Sequence, residues 1–459
     1  MGNVVKDLGE GNVKKLLFKL AFPAIMAQIV NVLYNIVDRI FIGRIPNGEI
    51  AMAGVGVAFP IIMIISAFSA LIGAGGAPLA AIKMGESNNE EAEKIMGNSF
   101  GALIIIGVLM TGGFLIFKEP ILWAFGASRA TIGYANEYLG FYLIGTIFVQ
   151  IALGMNPFIN TQGFAKTGMA TVMVGAVINI ILDPIFIFGF NMGVKGAALA
   201  TVFGQFISVL WVLKFLFGKT SVLKIKKQYI NPELKILLRV MALGVSPFIM
   251  QATESLVIII MNNQLSKFGG DLAIGAMTIM SSIMQIVLLP LLGLSQGAQP
   301  IMSYNYGAEK LDRVKNAFKI LIKSCLFYVG IMWILLLTLP QFFVMIFNNN
   351  EDLIKITSWS IKIYFAGILM FGIQVACQQT FLALGQAKIS LFLALLRKII
   401  LLIPLALILP MIVEDKLKGV LLSEPFADVL AATITGIFFI RFYKKDLSVN
   451  DKNKTLEKS

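Results

Sequence analysis

Twelve apolar runs, each long enough to cross a bilayer as a helix, dominate this chain of 459 residues. They lie near residues 16–42, 50–82, 96–117, 132–160, 168–190, 196–218, 237–265, 272–303, 317–347, 358–384, 389–412 and 418–443. Crossing about 30 Å of hydrocarbon takes about 20 helical residues. Runs of this kind, without the ten-residue alternation of an outer-membrane barrel, predict helices. Charged residues make up 14% of the chain, against about 25% in soluble domains, so a soluble fold would lack the polar surface to cover itself. The expected fold class is an all-α polytopic membrane protein with twelve transmembrane helices. Cys325 and Cys377 have no CxxC spacing and there is no histidine, which argues against a disulfide framework, zinc or haem ligation and His proton relays. Lys6, Asp7, Glu10, Lys14 and Lys15 precede an apolar run too long for a signal-peptide core, so the first spanning helix is expected to start translocation.

Of the 38 Lys and Arg residues, 28 fall on the side that holds both termini and 10 on the other, with Arg39 assigned to the outer end of helix 1. This asymmetry predicts cytoplasmic termini and a multi-pass membrane protein. The net charge of +13 is mostly this topological signal. Its basic residues are scattered over short loops without interleaved aromatics, so no nucleic-acid partner is expected, and contact with anionic headgroups is the plainer reading.

The chain also repeats itself at an offset of 221 to 223 residues. Gly54 matches Gly275, Gly75 matches Gly297, Pro78 matches Pro300 and Gly85 matches Gly307. Tyr142 matches Tyr364, Gly145 matches Gly367, Ala165-Lys166 matches Ala387-Lys388, and Lys195-Gly196 matches Lys418-Gly419. Six helices per half is an even number, so two six-helix lobes enter the membrane in the same direction, related by a parallel repeat. The expected organisation is an N-terminal lobe over 1–220, an inter-lobe linker over 221–235, a C-terminal lobe over 236–445 and a cytoplasmic tail over 446–459. Two parallel lobes with a cleft between them suit a transporter.

Asp38, Asp183, Glu254, Glu424 and Asp428 fall inside predicted helices. Each costs about 2.5–3.5 kcal/mol at mid-bilayer on insertion scales and should face protein or water. Gln28, Asn31, Asn35 and Asp38 recur at helical spacing on one face of helix 1, with Asn179 and Asp183 on helix 5 and Thr201, Gln205 and Ser208 on helix 6. Converging, these faces would place two carboxylates in one N-lobe pocket, which either retains a proton or binds Na⁺ through hard oxygens. The acids are not duplicated: Asp38 falls near Asn262 and Asp183 near Leu405, while Thr201 falls on Glu424 and Gln205 on Asp428. The C-lobe instead offers Gln251 and Glu254, Gln374 and Gln378, and Glu424 and Asp428 as a seat for substrate or a second cation. With only acids counted inside the membrane, the cargo is expected to be cationic. Gly73, Gly75 and Gly76 belong to close helix packing rather than to a phosphate loop. Pro23 and Pro247 are candidate hinges, and Met and Phe side chains suit an adaptable apolar wall.

The stretch Val37-Asp38-Arg39-Ile40-Phe41-Ile42-Gly43, the pattern from Asn179 through Asp183-Pro184 to Gly189, and the turn from Gly193 to Ala198 resemble the multidrug and toxic compound extrusion (MATE) family over nearly the whole chain. The resemblance implies a V-shaped antiporter of the cytoplasmic (inner) membrane of a prokaryote, not an enzyme, that expels amphipathic, often cationic, compounds in exchange for Na⁺ or H⁺, with no other cofactor; a monomer is expected, with dimerisation left open by the sequence. By position it implies an N-lobe cation site of Asp38, Asp183, Asn179, Tyr138, Asn156 and Thr201, with Asp38 and Asp183 as the metal ligands if Na⁺ is the coupling ion. Glu254 falls near an acidic position used by another branch, whose helix 10 aspartate is replaced here by Ile373-Gln374. Glu424 or Asp428 would have to substitute for it. The alternative reading is a flippase for lipid-linked oligosaccharides, which would want a cationic cleft. An intramembrane glycosyltransferase would want an acid-rich surface loop, and only Glu86 to Glu93 approaches one.

Overall fold

The computed structural model describes residues 2–447, all helical or in turns with no strand among them. Most of the tail expected over 446–459 lies outside the described residues. A short α1 (Gly2–Glu10) leads into α2 (Val13–Gly43), α3 (Gly48–Gly85), α4 (Asn89–Ala124), α5 (Ile132–Ile144), α6 (Thr146–Thr161), α7 (Ala165–Pro184) and α8 (Val194–Leu216). The second half holds α9 (Leu234–Gly307), α10 (Leu311–Thr338), α11 (Pro340–Met345), α12 (Glu351–Tyr364), α13 (Ile368–Ala383), α14 (Ala387–Leu395), α15 (Ile403–Ile412) and α16 (Lys416–Phe442). Side-chain caps mark where the chain turns into several spans: Asn12 accepts from Lys15 N, Asn88 from Glu91 N and Asp415 from Lys418 N. The run expected over 317–347 is broken at Leu339, where Pro340 cannot continue the α10 ladder and opens α11 instead.

Nine described helices are long and apolar enough to span a bilayer, and two bent pairs raise the number to eleven. The 74-residue α9 is itself two spans, because Gly270 (φ 64°) breaks it. Unbroken, it would separate its ends by about 110 Å. In the fold both ends come back to α3: a Cβ on Gly244 would meet Leu71 O, and one on Gly307 would meet Ile82 O. That gives the twelve expected crossings.

The repeat is visible in the packing. The bend of 59° between α5 and α6 sits at Gly145, where a Cβ would strike Val202 at 2.5 Å. Its counterpart, the bend of 51° between α12 and α13, sits at Gly367 against Pro425 Cα at 2.7 Å. Val202 and Pro425 are themselves repeat partners, so one mode of helix bending against a neighbour is used twice. Gly85 and Gly307, also partners, form a single crossing between the lobes, with carbonyls of α9 and α3 packed where a Cβ would be. Gly73, Gly75 and Gly76 lie against Gly154, Val240 and Phe158, so the glycine cluster of α3 serves close packing.

The contacts that join the lobes at Gly75, Gly85, Gly297 and Gly307 lie on the side of the molecule that carries residues 217–233 between α8 and α9. That segment is clamped to α4 and α6. Gln162 Oε1 accepts from Ser221 Oγ, Val222 N and Leu223 N at 3.0, 2.8 and 2.9 Å. Asn98 bonds Tyr229 O and Glu233 N, and Glu93 takes Lys224 N and the Lys226 ammonium. The α1 end is tied to the same face, since Asn305 and Arg313 both donate to Leu8 O.

Candidate cation site in the N-terminal lobe

A cavity of about 430 Å³ opens between α2, α3, α5 and α8, lined among others by Tyr34, Asn35, Asp38, Tyr138, Tyr142, Thr201 and Gln205. The helical spacing of α2 aims Asn35 and Asp38 into it, and Tyr34 lies one turn before Asp38. Asp183 ends α7 ahead of Pro184, where the chain widens into a π-helical turn over Ile185–Gly189. Such turns displace side chains from the regular helical face and are frequent at functional sites. Asn179, one turn earlier, donates from the same Nδ2 to Asp183 Oδ1 at 3.2 Å and to Thr201 Oγ1 at 3.3 Å. The Tyr138 and Tyr142 rings stack at a centroid distance of 6.2 Å and wall one side.

What sets this cluster apart is how much of it has no partner. Asp38, Asn179 and Asp183 are 8%, 2% and 0% exposed, yet Asp38 Oδ1, Asn179 Oδ1 and Asp183 Oδ2 accept no hydrogen bond. Buried oxygens of this kind normally find a donor. Two carboxylates within electrostatic range of each other in an apolar surround repel, and a small cation between them would satisfy the orphaned oxygens and remove the repulsion. The described residues hold no cluster of three or more His, Cys, Asp or Glu side chains. Two carboxylates with neutral oxygens suit a proton or a hard monovalent ion such as Na⁺.

Of the expected residues, Asp38, Asp183, Asn179, Tyr138 and Thr201 come together. Asn156 does not: its amide donates to Gly168 O at 2.9 Å and accepts from Asn160, tying α6 to the start of α7. Gly168 is 15 residues from Asp183, about 22 Å along the helix, so Asn156 is a packing residue outside the cavity. Gln28 and Asn31 continue the polar face of α2, and Ser208 donates away from the cavity to Thr171 O. Tyr34 and Tyr142 line the cavity as well, although helical spacing of polar residues alone does not mark them. An aromatic one turn from an intramembrane acid is the signal that marks Tyr34.

The C-lobe differs from expectation. Glu424 and Asp428 do not stand free: Arg397 is bonded to Glu424 Oε1 at 2.5 Å and to Asp428 Oδ1 at 2.8 Å. Glu254 is paired with Lys398, which also donates to Met250 O at 2.9 Å. Gln378 donates to Met250 Sδ, and Gln374 is buried with Oε1 unpartnered. The intramembrane charges are therefore not all acidic. Arg397 and Lys398, counted above with the cytoplasmic basic residues, are both 8% exposed and project inward from a π-helical stretch over Leu396–Leu402. Gln251, Glu254, Gln374, Gln378, Glu424 and Asp428 thus form no open acidic seat for a second cation. Two basic residues nine positions into an apolar run were the available signal. Pro23 and Pro247 sit within continuous helix, Pro23 between Ala21 and Ile25, which pack on Gly297 and Gly293.

Comparison with known proteins agrees with this architecture. The MatE family model matches residues 23–185 and again 247–408, once in each half of the repeat. The chain is 24% identical to the multidrug export protein MepA of Staphylococcus saprophyticus over 98% of both chains. It is also 24% identical to MepA of Staphylococcus aureus over 91% of both. Among solved structures, a MATE protein in its bent conformation superposes with a TM-score of 0.90 at 22% identity over 98% of this chain and 99% of the other. An outward-facing multidrug resistance transporter of the MOP superfamily gives 0.89 at 23% identity over 96% and 98%.

Proposed function

Because the chain belongs to the MATE family, whose members are membrane transporters and not enzymes, we propose that it is a cation-coupled antiporter that exports amphipathic, often cationic, drugs and toxic compounds by alternating access. The observation that carries this reading is the buried N-lobe cluster, in which Asp38 lines the cavity with Thr201 and a tyrosine wall, Asn179 bonds both Thr201 and Asp183 behind it, and all three of Asp38, Asn179 and Asp183 present unpartnered oxygens. Multidrug export by the MepA relatives supports the substrate class. The resident place is the cytoplasmic membrane, with both termini and residues 217–233 inside, as the distribution of Lys and Arg supports.

On this reading the lobes as described are closed toward the cytoplasm and the cavity loads from outside. H⁺ or Na⁺ entering beside Asp38 and Asp183 neutralises the pair and lets α2 and α7 close on each other. Drawing α2 inward narrows the N-lobe face of the cleft and lowers its affinity for substrate, which leaves outward. Substrate captured from the cytoplasmic side then favours the cation-free arrangement. Both ligands act on one conformational equilibrium and so oppose each other without touching.

The test is dye efflux from proteoliposomes under separately imposed proton and sodium gradients. One of the two gradients should drive ethidium export, and Asp38→Asn should abolish or uncouple it in a folded, well-expressed protein. Unchanged coupled efflux in Asp38→Asn would refute the assignment.

A further inference from the structure

The coupling cycle leaves unused the buried charge cluster of the C-lobe. We propose that Arg397 is a tethered counter-cation occupying the C-lobe counterpart of the N-lobe cavity, so that the chain carries one exchangeable cation site and not two. The proposal rests on the coupling reading above only for what the first site does; the second site stands on its own geometry.

The repeat places the two clusters in register. Glu424 and Asp428 fall on Thr201 and Gln205, and Tyr364 falls on Tyr142. All three N-lobe members line the cation cavity. Substituting two carboxylates for a threonine and a glutamine would by itself make the C-lobe position the stronger cation seat. The difference is what fills it. Arg397 bonds Asp428 through Nε at 2.8 Å and Glu424 through a terminal nitrogen at 2.5 Å, and its guanidinium lies 4.6 Å from the centre of the Phe371 ring. In the N-lobe the corresponding space does not exist. Arg397 falls on Gly175, where even a Cβ would come within 2.3 Å of Ser208 Oγ.

The satisfaction of the two clusters differs accordingly. Three acceptor oxygens in the N-lobe group lack partners, whereas no side-chain atom of Arg397, Glu424 or Asp428 is among the described buried atoms without one. Arg397, Glu424 and Asp428 are 8%, 5% and 1% exposed. A cation arriving from solution would have to displace a guanidinium that is covalently held at the site, and whose effective concentration there cannot be diluted away. The displaced guanidinium would also remain buried without a partner, at the cost that makes half-broken buried pairs unfavourable. Facing the cluster are Tyr364 from α12 and Phe371 from α13, and Glu254, within electrostatic range of Tyr364, is already paired with Lys398. Glu254 is therefore not a spare carboxylate for it.

The test uses the full-length protein with the N-lobe site silenced by Asp38→Asn/Asp183→Asn. Its unfolding midpoint is followed as Na⁺ replaces choline at constant ionic strength, and separately from pH 8.5 to 5.5. This parent should respond to neither beyond what the same protein carrying Glu424→Gln/Asp428→Asn shows. Adding Arg397→Met to the parent should create a stabilisation by Na⁺ or by protons of several degrees, and Glu424→Gln/Asp428→Asn should remove it. The proposal is overturned if the parent already shows cation stabilisation that Glu424→Gln/Asp428→Asn abolishes, or if a folded Arg397→Met protein responds no more than its parent. Should Arg397→Met fail to fold, the comparison that keeps Arg397 still decides. A wild-type protein without any cation response would sink the coupling reading while leaving this comparison intact.

Discussion

Replacing Gly85 with alanine should loosen the seal between the lobes without disturbing either lobe. At Gly85 an added Cβ would lie 1.9 Å from Tyr304 O, and at Gly307 it would lie 1.9 Å from Ile82 O. Carbon and carbonyl oxygen ordinarily approach no closer than about 3.3 Å, and here both obstacles are backbone, so no rotamer change relieves the clash. The helices must part by more than an ångström. Overpacking of this kind costs about 1–3 kcal/mol. Because the crossing joins the lobes and lies inside neither, that cost falls on the closed arrangement alone and shifts the conformational ratio about 5- to 150-fold toward separation on this side. Nitroxides at Ser87→Cys and Lys388→Cys, both exposed, would report the inter-lobe distance by electron-electron resonance, since the native Cys325 and Cys377 are buried. Gly85→Ala and Gly307→Ala should each raise the long-distance population. Their combination should be less than additive because one crossing is involved. Gly112→Ala, where a Cβ meets nothing within 4 Å, should change nothing. An unchanged distance distribution with a lowered melting temperature would show that the crossing stabilises the fold in every state, and would refute the reasoning.

Three further outcomes follow from particular contacts. Gln162→Ala removes the acceptor shared by Ser221 Oγ, Val222 N and Leu223 N and should cost about 2 kcal/mol or more, read as a lower unfolding midpoint, while Gln162→Glu keeps the acceptor and should cost less. Thr201→Val preserves shape but takes one of the two acceptors from Asn179 Nδ2; the cation concentration for half-maximal dye efflux should rise about tenfold, with protein yield unchanged. The hydrogen bond from Lys226 to Glu93 holds the lysine above its ordinary value. The pair therefore favours the folded linker below about pH 10.4 and loses that contribution as pH rises through the lysine's elevated value. Hydrogen exchange of residues 222–229 should accelerate there in wild type and show no such step in Lys226→Met.

Much of the architecture could be read from one dimension. Apolar length fixes how many times the chain crosses a bilayer, because the thickness of hydrocarbon admits one answer. The repeat could be read because glycines that let backbones meet closely, Gly85 with Gly307 and Gly145 with Gly367, recur in both copies. Asn35 and Asp38 share a face through simple helical spacing, as do Asn179 and Asp183, so their convergence with Thr201 needed only neighbouring helices.

Other features depended on how helices rotate and where they widen. Asn156 has the same residue type and the same span as a plausible ligand, but α6 turns it toward Gly168 O. Arg397 and Lys398 read as cytoplasmic because a regular helix gives no reason to bury them; the π-helical turn over Leu396–Leu402 carries them inward. Once there, they change the meaning of Glu254, Glu424 and Asp428 from free acids to paired ones. The sequence by itself determined a duplicated twelve-span scaffold and put Asp38 and Asp183 on the polar faces of helices 1 and 5. Only the tertiary structure decided which buried charges neutralise each other, since that depends on distances of a few ångströms between helices far apart in the chain.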